Sequence, residues 1–188
     1  MQEFLANGYA ATSMDKVAAA AGVSKATVYS HFQDKAGLFS AIVRQLAEEK
    51  FGAGFDPRDE SAMQGPPDVV LRRIAENILK EADDDSQLCE FMRLIIGESG
   101  RFPELAHPYI QNLAKPLIVG LTRYLAAQEE LQLKDPEATA RMFAGTLIYF
   151  VLVQRVLGAD ASMPMESDRI ITALIDSILC ARLSSGSS

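Results

Sequence analysis

The sequence predicts an all-α fold in two parts, and three observations carry that expectation. Apolar residues recur at helical spacing along most of the chain, as at Leu113, Leu117, Leu121 and Leu125. No stretch alternates strictly between apolar and polar residues around an Asn-Gly or Asp-Gly turn, so no hairpin is signalled. Gly52, Gly54, Pro57, Gly65, Pro66 and Pro67 crowd one segment. Such a concentration of helix breakers divides the chain into residues 1–50, a linker over 51–67, and a larger part over 68–184.

The first part opens with Met1 to Asn7 ahead of the motif. Thr12-Ser13-Met14-Asp15 fits a capping box with Thr12 as the cap. A short helix then runs through Met14, Val17, Ala18 and Ala21. Gly22 follows, the residue that takes a left-handed cap conformation most cheaply, and Ser24 offers a second cap for a helix over Lys25–His31. Asp34-Lys35 opens a longer helix.

In the larger part, Leu71, Ile74 and Ile78 share one face of a helix over 68–83. Asp83, Asp84, Asp85 and Ser86 separate it from a helix over 86–97, which Gly97 and Gly100 end. Pro103 opens a helix to about Ala127, which Pro108 and Pro116 divide or kink. Asp135-Pro136 pairs a cap with the residue favoured at the first helical position, starting a helix that ends near Gly158. The last helix runs from about Met165 to Leu183, and Ser184–Ser188 form a low-complexity tail.

Composition narrows the function. With 48% hydrophobic and 23% charged residues, the chain is of the folded globular class. Cys89 and Cys180 stand far apart with no Cys-x-x-Cys, which fits free thiols in a reducing cytoplasm, with Cys180 packing as a small hydrophobe. No basic region followed by an apolar stretch marks a secretory leader. The most apolar run, Met142 to Val153, is twelve residues, short of the roughly twenty a membrane span needs. Glycine-rich phosphate loops, nucleotide-binding turns and nucleophile elbows are absent, so neither an enzyme nor a cofactor is expected. His31 and His107 lie in no metal-ligating cluster. The net charge of −7 is unevenly spread. Residues 1–50 hold five basic and five acidic side chains, so the acidic excess lies entirely in the second part. A local basic face is enough for nucleic acid.

A helix, a glycine-centred turn and a capped second helix form a helix-turn-helix, whose second helix enters the major groove with its N-terminal residues at base edges. Those residues are Lys25, Ala26 and Thr27. A lysine donates to guanine acceptors, and a threonine methyl touches thymine. Tyr29, Ser30 and His31 carry hydroxyl and ring groups suited to phosphates, and Lys35 begins a helix whose dipole favours an anion.

These residues carry a family resemblance. Gly8-Tyr9-Ala10-Ala11-Thr12-Ser13, Val17-Ala18, Ala21 through Phe32, Asp34-Lys35 and Leu38-Phe39 resemble the DNA-binding domain of the tetracycline-repressor (TetR) family over roughly residues 1–45. The resemblance implies an all-α homodimer. Each protomer has a three-helix helix-turn-helix DNA-binding head and a C-terminal helical domain that binds an inducer and dimerises through its last two helices. It implies phosphate contacts at Thr12, Tyr29 and Lys35, groove contacts at Ser24, Lys25, Ala26, Thr27, Ser30 and His31, and core positions at Val28 and Phe32. Family members usually carry about ten more residues ahead of the position of Phe4, so either the chain is truncated or its first helix is short, and a short helix is expected to leave Val17, Val28 and Phe32 less covered. Arg101-Phe102-Pro103-Glu104-Leu105 resembles a segment of the family's multidrug-type members.

The helix over 135–158 is apolar nearly all round at Met142, Phe143, Leu147, Ile148, Tyr149, Phe150 and Val151, so it is expected to be buried on more than one side. The last helix presents a wide face through Ile170, Ile171, Leu174, Ile175, Ile178 and Leu179. Both suit a four-helix interface in a two-fold dimer, with a large monomeric core as the other reading. The resemblance puts an inducer pocket among the middle helices. Phe91, Ile95, Tyr109, Leu113, Leu117, Leu147 and Phe150 are candidates, with Arg93 and Tyr109 as polar handles for a small, largely apolar ligand. The expected protein is a cytoplasmic transcriptional regulator, a repressor released from double-stranded operator DNA by its ligand. The alternative is a DNA-binding or structural protein that needs no ligand and acts through a protein partner.

Overall fold

The structure, a computed structural model, describes residues 1–52, 60–84 and 86–180. Part of the predicted linker, Asp85, the end of the last helix at Leu183 and the serine-rich tail lie outside the described residues. The described chain is helical, with no strand among the described residues, and forms two compact units. One unit comprises Met1–Glu49 with Gln87–Leu113, the other Lys50–Ser86 with Ala114–Ser188.

The first unit holds α1 (Gln2–Ala11), α2 (Met14–Ala20), α3 (Lys25–His31), α4 (Lys35–Gly52), α6 (Ser86–Glu98) and α7 (Ala106–Tyr109); α5 (Pro67–Asp84) belongs to the second. Helix α1 breaks at Gly8, whose φ of 75° lies where only glycine is comfortable. Phe4, Tyr9 and Phe39 meet in edge-on and stacked pairs with ring centroids 5.4–5.8 Å apart, and Phe91 of α6 stacks on Phe39 at 5.9 Å. Leu94, Ile95 and Leu105 join the same core. Val28 is accordingly buried, while Val17 and Phe32 are half-buried against it.

The second unit also holds α8 (Lys115–Ala126), α9 (Pro136–Val151) and α10 (Ser167–Cys180). Its core is mainly aliphatic, drawing on Leu71 and Ile74 of α5, Leu121 and Leu125 of α8, Phe143 and Leu147 of α9, and Ile171 and Ile175 of α10. The Asp135 carboxylate caps α9 by accepting from the Ala138 N–H at 2.9 Å, with Pro136 at the first helical position as the sequence predicts. Arg72 of α5 reaches Asp168 at 2.6 Å and the Thr172 hydroxyl at 2.8 Å, both on α10. The Tyr124 hydroxyl donates to the Gly65 carbonyl at 2.9 Å, fixing the entry to α5.

Two expectations gain detail and one, on Cys180, needs correction. The stretch from Pro103 to Ala126 is a 3-10 turn, a short α-helix, a π-helical turn over Ile110–Ala114 and then α8, because each proline withholds a backbone donor and local hydrogen bonding readjusts around it. Helix α9 is not enclosed within its own unit: Phe143, Leu147 and Phe150 are buried, but Met142 is 70% and Tyr149 63% exposed. Cys180 is exposed at the last position of α10, one turn or less beyond the core residue Ile178, and no disulfide joins it to Cys89.

Candidate nucleic-acid interface

The turn between α2 and α3 is fixed by caps at both ends. Ser13, not Thr12, caps α2; its hydroxyl accepts from the Lys16 N–H at 3.3 Å. The correction has a physical cause. Thr12 is only 2% exposed, and its hydroxyl donates inward to the Glu3 and Gly8 carbonyls at 2.9 and 2.8 Å. At the other end α2 stops where Gly22 takes φ 67°, and the Val23 N–H returns to the Ala18 carbonyl at 3.1 Å. The Ser24 hydroxyl then caps α3 by accepting from the Thr27 N–H at 3.1 Å and pairs with the Thr27 hydroxyl at 2.8 Å.

Helix α3 has one buried residue, Val28, as its anchor. Lys25, Ala26, Thr27, Tyr29, Ser30 and His31 are exposed, Tyr29 to 50%, and Ser24 is exposed before them. These groove and phosphate candidates therefore share one short rod presented to solvent. Within it the Ser30 hydroxyl donates to the Thr27 carbonyl at 2.8 Å and lies 3.1 Å from His31 Nδ1. The Lys25 ammonium pairs with the Asp15 carboxylate of α2, both side chains being more than half exposed.

The two remaining candidates lie outside α3 and contact α1. The Lys35 ammonium is half-buried and donates to the Tyr9 and Ala10 carbonyls at 2.8 and 3.3 Å, 4.3 Å above the Tyr9 ring. Burial, the nearby Glu104 and Asp34 carboxylates and a hydrogen bond to Glu104 push the Tyr9 phenol above its ordinary pKa, so it stays neutral beneath that cation. Thr12, as described, turns its hydroxyl inward.

The ligand candidates divide between the units. In the first, Phe91 and Ile95 belong to the buried core, with Tyr109 and Leu113 half-buried against it. Burial pushes the Tyr109 phenol above its usual pKa. Arg93 is exposed and borders an open groove of about 580 Å³ with Gln2, Leu5, Glu90 and Leu94. In the second unit Leu147 and Phe150 are buried and Leu117 is half-buried.

Sequence reasoning missed Glu98. Its carboxylate accepts from the Tyr9 N–H at 2.7 Å and the Ala10 N–H at 3.3 Å, just past the break in α1. A signal was present: Glu98 is the last residue of α6, where the helix dipole disfavours negative charge.

No helix is long and apolar enough to cross a membrane, and no three His, Cys, Asp or Glu residues are grouped to hold a metal, both among the described residues. A family profile described as "Bacterial regulatory proteins, tetR family" matches residues 1–42. A second, "AefR-like transcriptional repressor, C-terminal domain", matches residues 69–181. Over 103 residues the chain is 31% identical to the HTH-type transcriptional regulator AcrR of Shigella flexneri, a match covering 55% of this chain and 47% of that one. The chain thus spans about half the length of that curated relative. The solved structure of the flavonoid-responsive regulator FrrA aligns with a TM-score of 0.75 at 30% identity, over 96% of this chain and 91% of that one. AibR, solved with isovaleryl coenzyme A and operator DNA, shares the fold, with a TM-score of 0.59 at 19% identity over 93% and 90% of the two chains.

Proposed function

From the premise that this chain belongs to the tetR family of bacterial transcriptional regulators, we propose that it is a homodimeric repressor whose α3 reads operator DNA and which a small ligand releases. The family is one of regulators rather than enzymes, and its members bind operator DNA and small molecules, typically as dimers. The observation that carries the reading here is the exposure of α3: Val28 alone is buried, and Ser24 through His31 otherwise face solvent. Lys25, Ala26 and Thr27 meet base edges, with Ser24, Ser30 and His31 beside them. Tyr29 supplies a phosphate contact. Lys35 and Thr12 act indirectly, by holding the backbone of Gly8–Ala10. Residues 1–50 serve as the DNA-binding head, 51–67 as the linker and 68–184 as the ligand-binding and dimerisation part.

Dimerisation through α9 and α10 is supported by the exposed stripe Ala138, Met142, Gly145 and Tyr149, one face of α9 at helical spacing. Large apolar side chains exposed in a row mark an interaction surface. A two-fold pair sets the recognition helices about one DNA turn apart, roughly 34–36 Å. Ligand acts by favouring a dimer whose heads cannot engage together, so the avidity of two heads is lost. That one relative is flavonoid-responsive supports a largely apolar ligand, with the Tyr109 hydroxyl and Arg93 as polar handles together with Phe91, Ile95 and Leu113 in the first unit, and with Leu117, Leu147 and Phe150 as separate candidates in the second.

Selection of bound duplexes from random sequence by the purified protein tests the reading. Enrichment of two related half-sites about ten base pairs apart, with affinity falling steeply as salt rises, is expected. Recovery of an unenriched pool would remove the operator reading.

A further inference from the structure

We infer that Glu98 is a positioning residue for DNA binding, which fixes the Gly8–Ala10 segment and through it the seat of Lys35 and α3; this rests on the operator reading above. The argument starts at Gly8. With φ 75° and ψ 168° it interrupts α1, so the N–H groups just after it lose their partners one turn back. The Glu98 carboxylate supplies that acceptor from another helix, one oxygen taking the Tyr9 N–H at 2.7 Å and the other the Ala10 N–H at 3.3 Å. An anion at the start of a helical turn is also favoured by the backbone dipoles. The fit is close: a Cβ on residue 8 would stand 2.6 Å from Glu98 Oε1.

The same two residues face a cation on their other side. Their carbonyls accept from the Lys35 ammonium at 2.8 and 3.3 Å. One peptide dipole, that of the Tyr9–Ala10 bond, therefore runs between the carboxylate and the ammonium, and its two contacts reinforce one another. Thr12 ties the next turn down through the Gly8 carbonyl at 2.8 Å, and Ser13, which caps α2, follows directly. Glu98 touches no residue of α3's exposed face in this chain of contacts. Its loss should therefore misplace the rod without removing a phosphate contact.

The test uses the full chain, the selected duplex and three variants, Glu98→Ala, Glu98→Asp and Glu98→Gln. Affinity is read by fluorescence anisotropy across a salt series, with thermal unfolding and amide hydrogen exchange of Tyr9 and Ala10 alongside. Glu98→Ala should weaken duplex binding about tenfold, the order expected for losing charge-assisted hydrogen bonds, with the salt slope unchanged and faster exchange at both amides. Glu98→Asp, shorter by one methylene, should lose an intermediate amount. Glu98→Gln keeps one acceptor oxygen for the Tyr9 N–H but no charge and no second acceptor, and should restore part of the affinity, a rescue that loss of folding would not show. Should Glu98→Ala fail to fold, Glu98→Asp decides. Binding by the folded alanine or aspartate variant equal to the unsubstituted chain overturns the inference alone. An unsubstituted chain with no salt-dependent attraction to any duplex removes the operator reading, and this inference with it.

Discussion

At the scale of single residues, the structure separates side chains that meet solvent from those that hold the ones that do. Lys25 and Asp15 form an exposed pair in the free protein, and such pairs are worth little, about 0–1 kcal/mol. Asp15→Asn should therefore leave the unfolding midpoint nearly unchanged while raising affinity for all duplexes severalfold, because it removes an anion beside the proposed phosphate path. Thr12→Val should act oppositely. It deletes the donor shared by two part-buried carbonyls and should lower stability by about 1 kcal/mol, read by denaturant unfolding. A Thr12→Val chain as stable as the parent, but with a smaller salt slope, would mean that the hydroxyl meets phosphate after all. This residue also marks a limit of reading from sequence. Thr12 and Ser13 both precede the helix at capping distance, and composition does not rank two adjacent hydroxyls. Only the packing of α1 over Thr12 decides. Glu98 escaped for a related reason: its partners lie 88 and 89 residues away, and no local pattern names them.

At the scale of elements, caps and breakers were the legible features. Gly22, Ser24 and the Asp135-Pro136 pair sit in the roles their chemistry predicts, because each acts on backbone groups within a few residues. The π-helical turn over Leu152–Val156 was not legible, since no residue in it marks a break, whereas Pro108 and Pro116 signalled a division around Ile110–Ala114 without giving its form. Gly22 gives a clean test of the turn. A methyl there would meet nothing within 4 Å, so Gly22→Ala carries only the left-handed backbone penalty of roughly 1–2 kcal/mol, measurable by denaturant unfolding. The entry to α5 gives a second test. Burial, followed by the nearby Glu130 and Asp68 carboxylates, pushes the Tyr124 phenol up from 10.0 to about 12. The unfolded chain then loses this proton first, so the group's contribution to stability is complete below pH 10 and is lost between pH 10 and about 12. Stability should fall in that window by up to about 1.4 kcal/mol per pH unit, and Tyr124→Phe should flatten the fall. Equal slopes in the two proteins would contradict the assignment.

At the scale of the whole molecule, chain order and packing differ. The glycine- and proline-rich segment read as the linker follows residue 50, yet Gln87–Leu113 pack with Met1–Glu49, so the core closing over the helix-turn-helix is completed by residues far along the chain. Length and periodicity announce helices but not which of them share a core. The apolar run on α9 likewise reads as burial, and its burial within one protomer is incomplete. Placing charge on the exposed stripe with Met142→Glu and Tyr149→Glu should yield monomers in sedimentation velocity and weaken duplex binding by tenfold or more, since two linked heads gain 10²–10⁴ in avidity. A dimer that survives both changes would move the interface off α9. The central claim, that α3 reads bases in the major groove, is tested most directly by selecting duplexes in parallel with the unsubstituted chain, Lys25→Ala and Thr27→Ala. Each variant is predicted to lose its preference at one or two positions of each half-site while half-site spacing stays fixed, and identical preferences at every position in all three pools would contradict it.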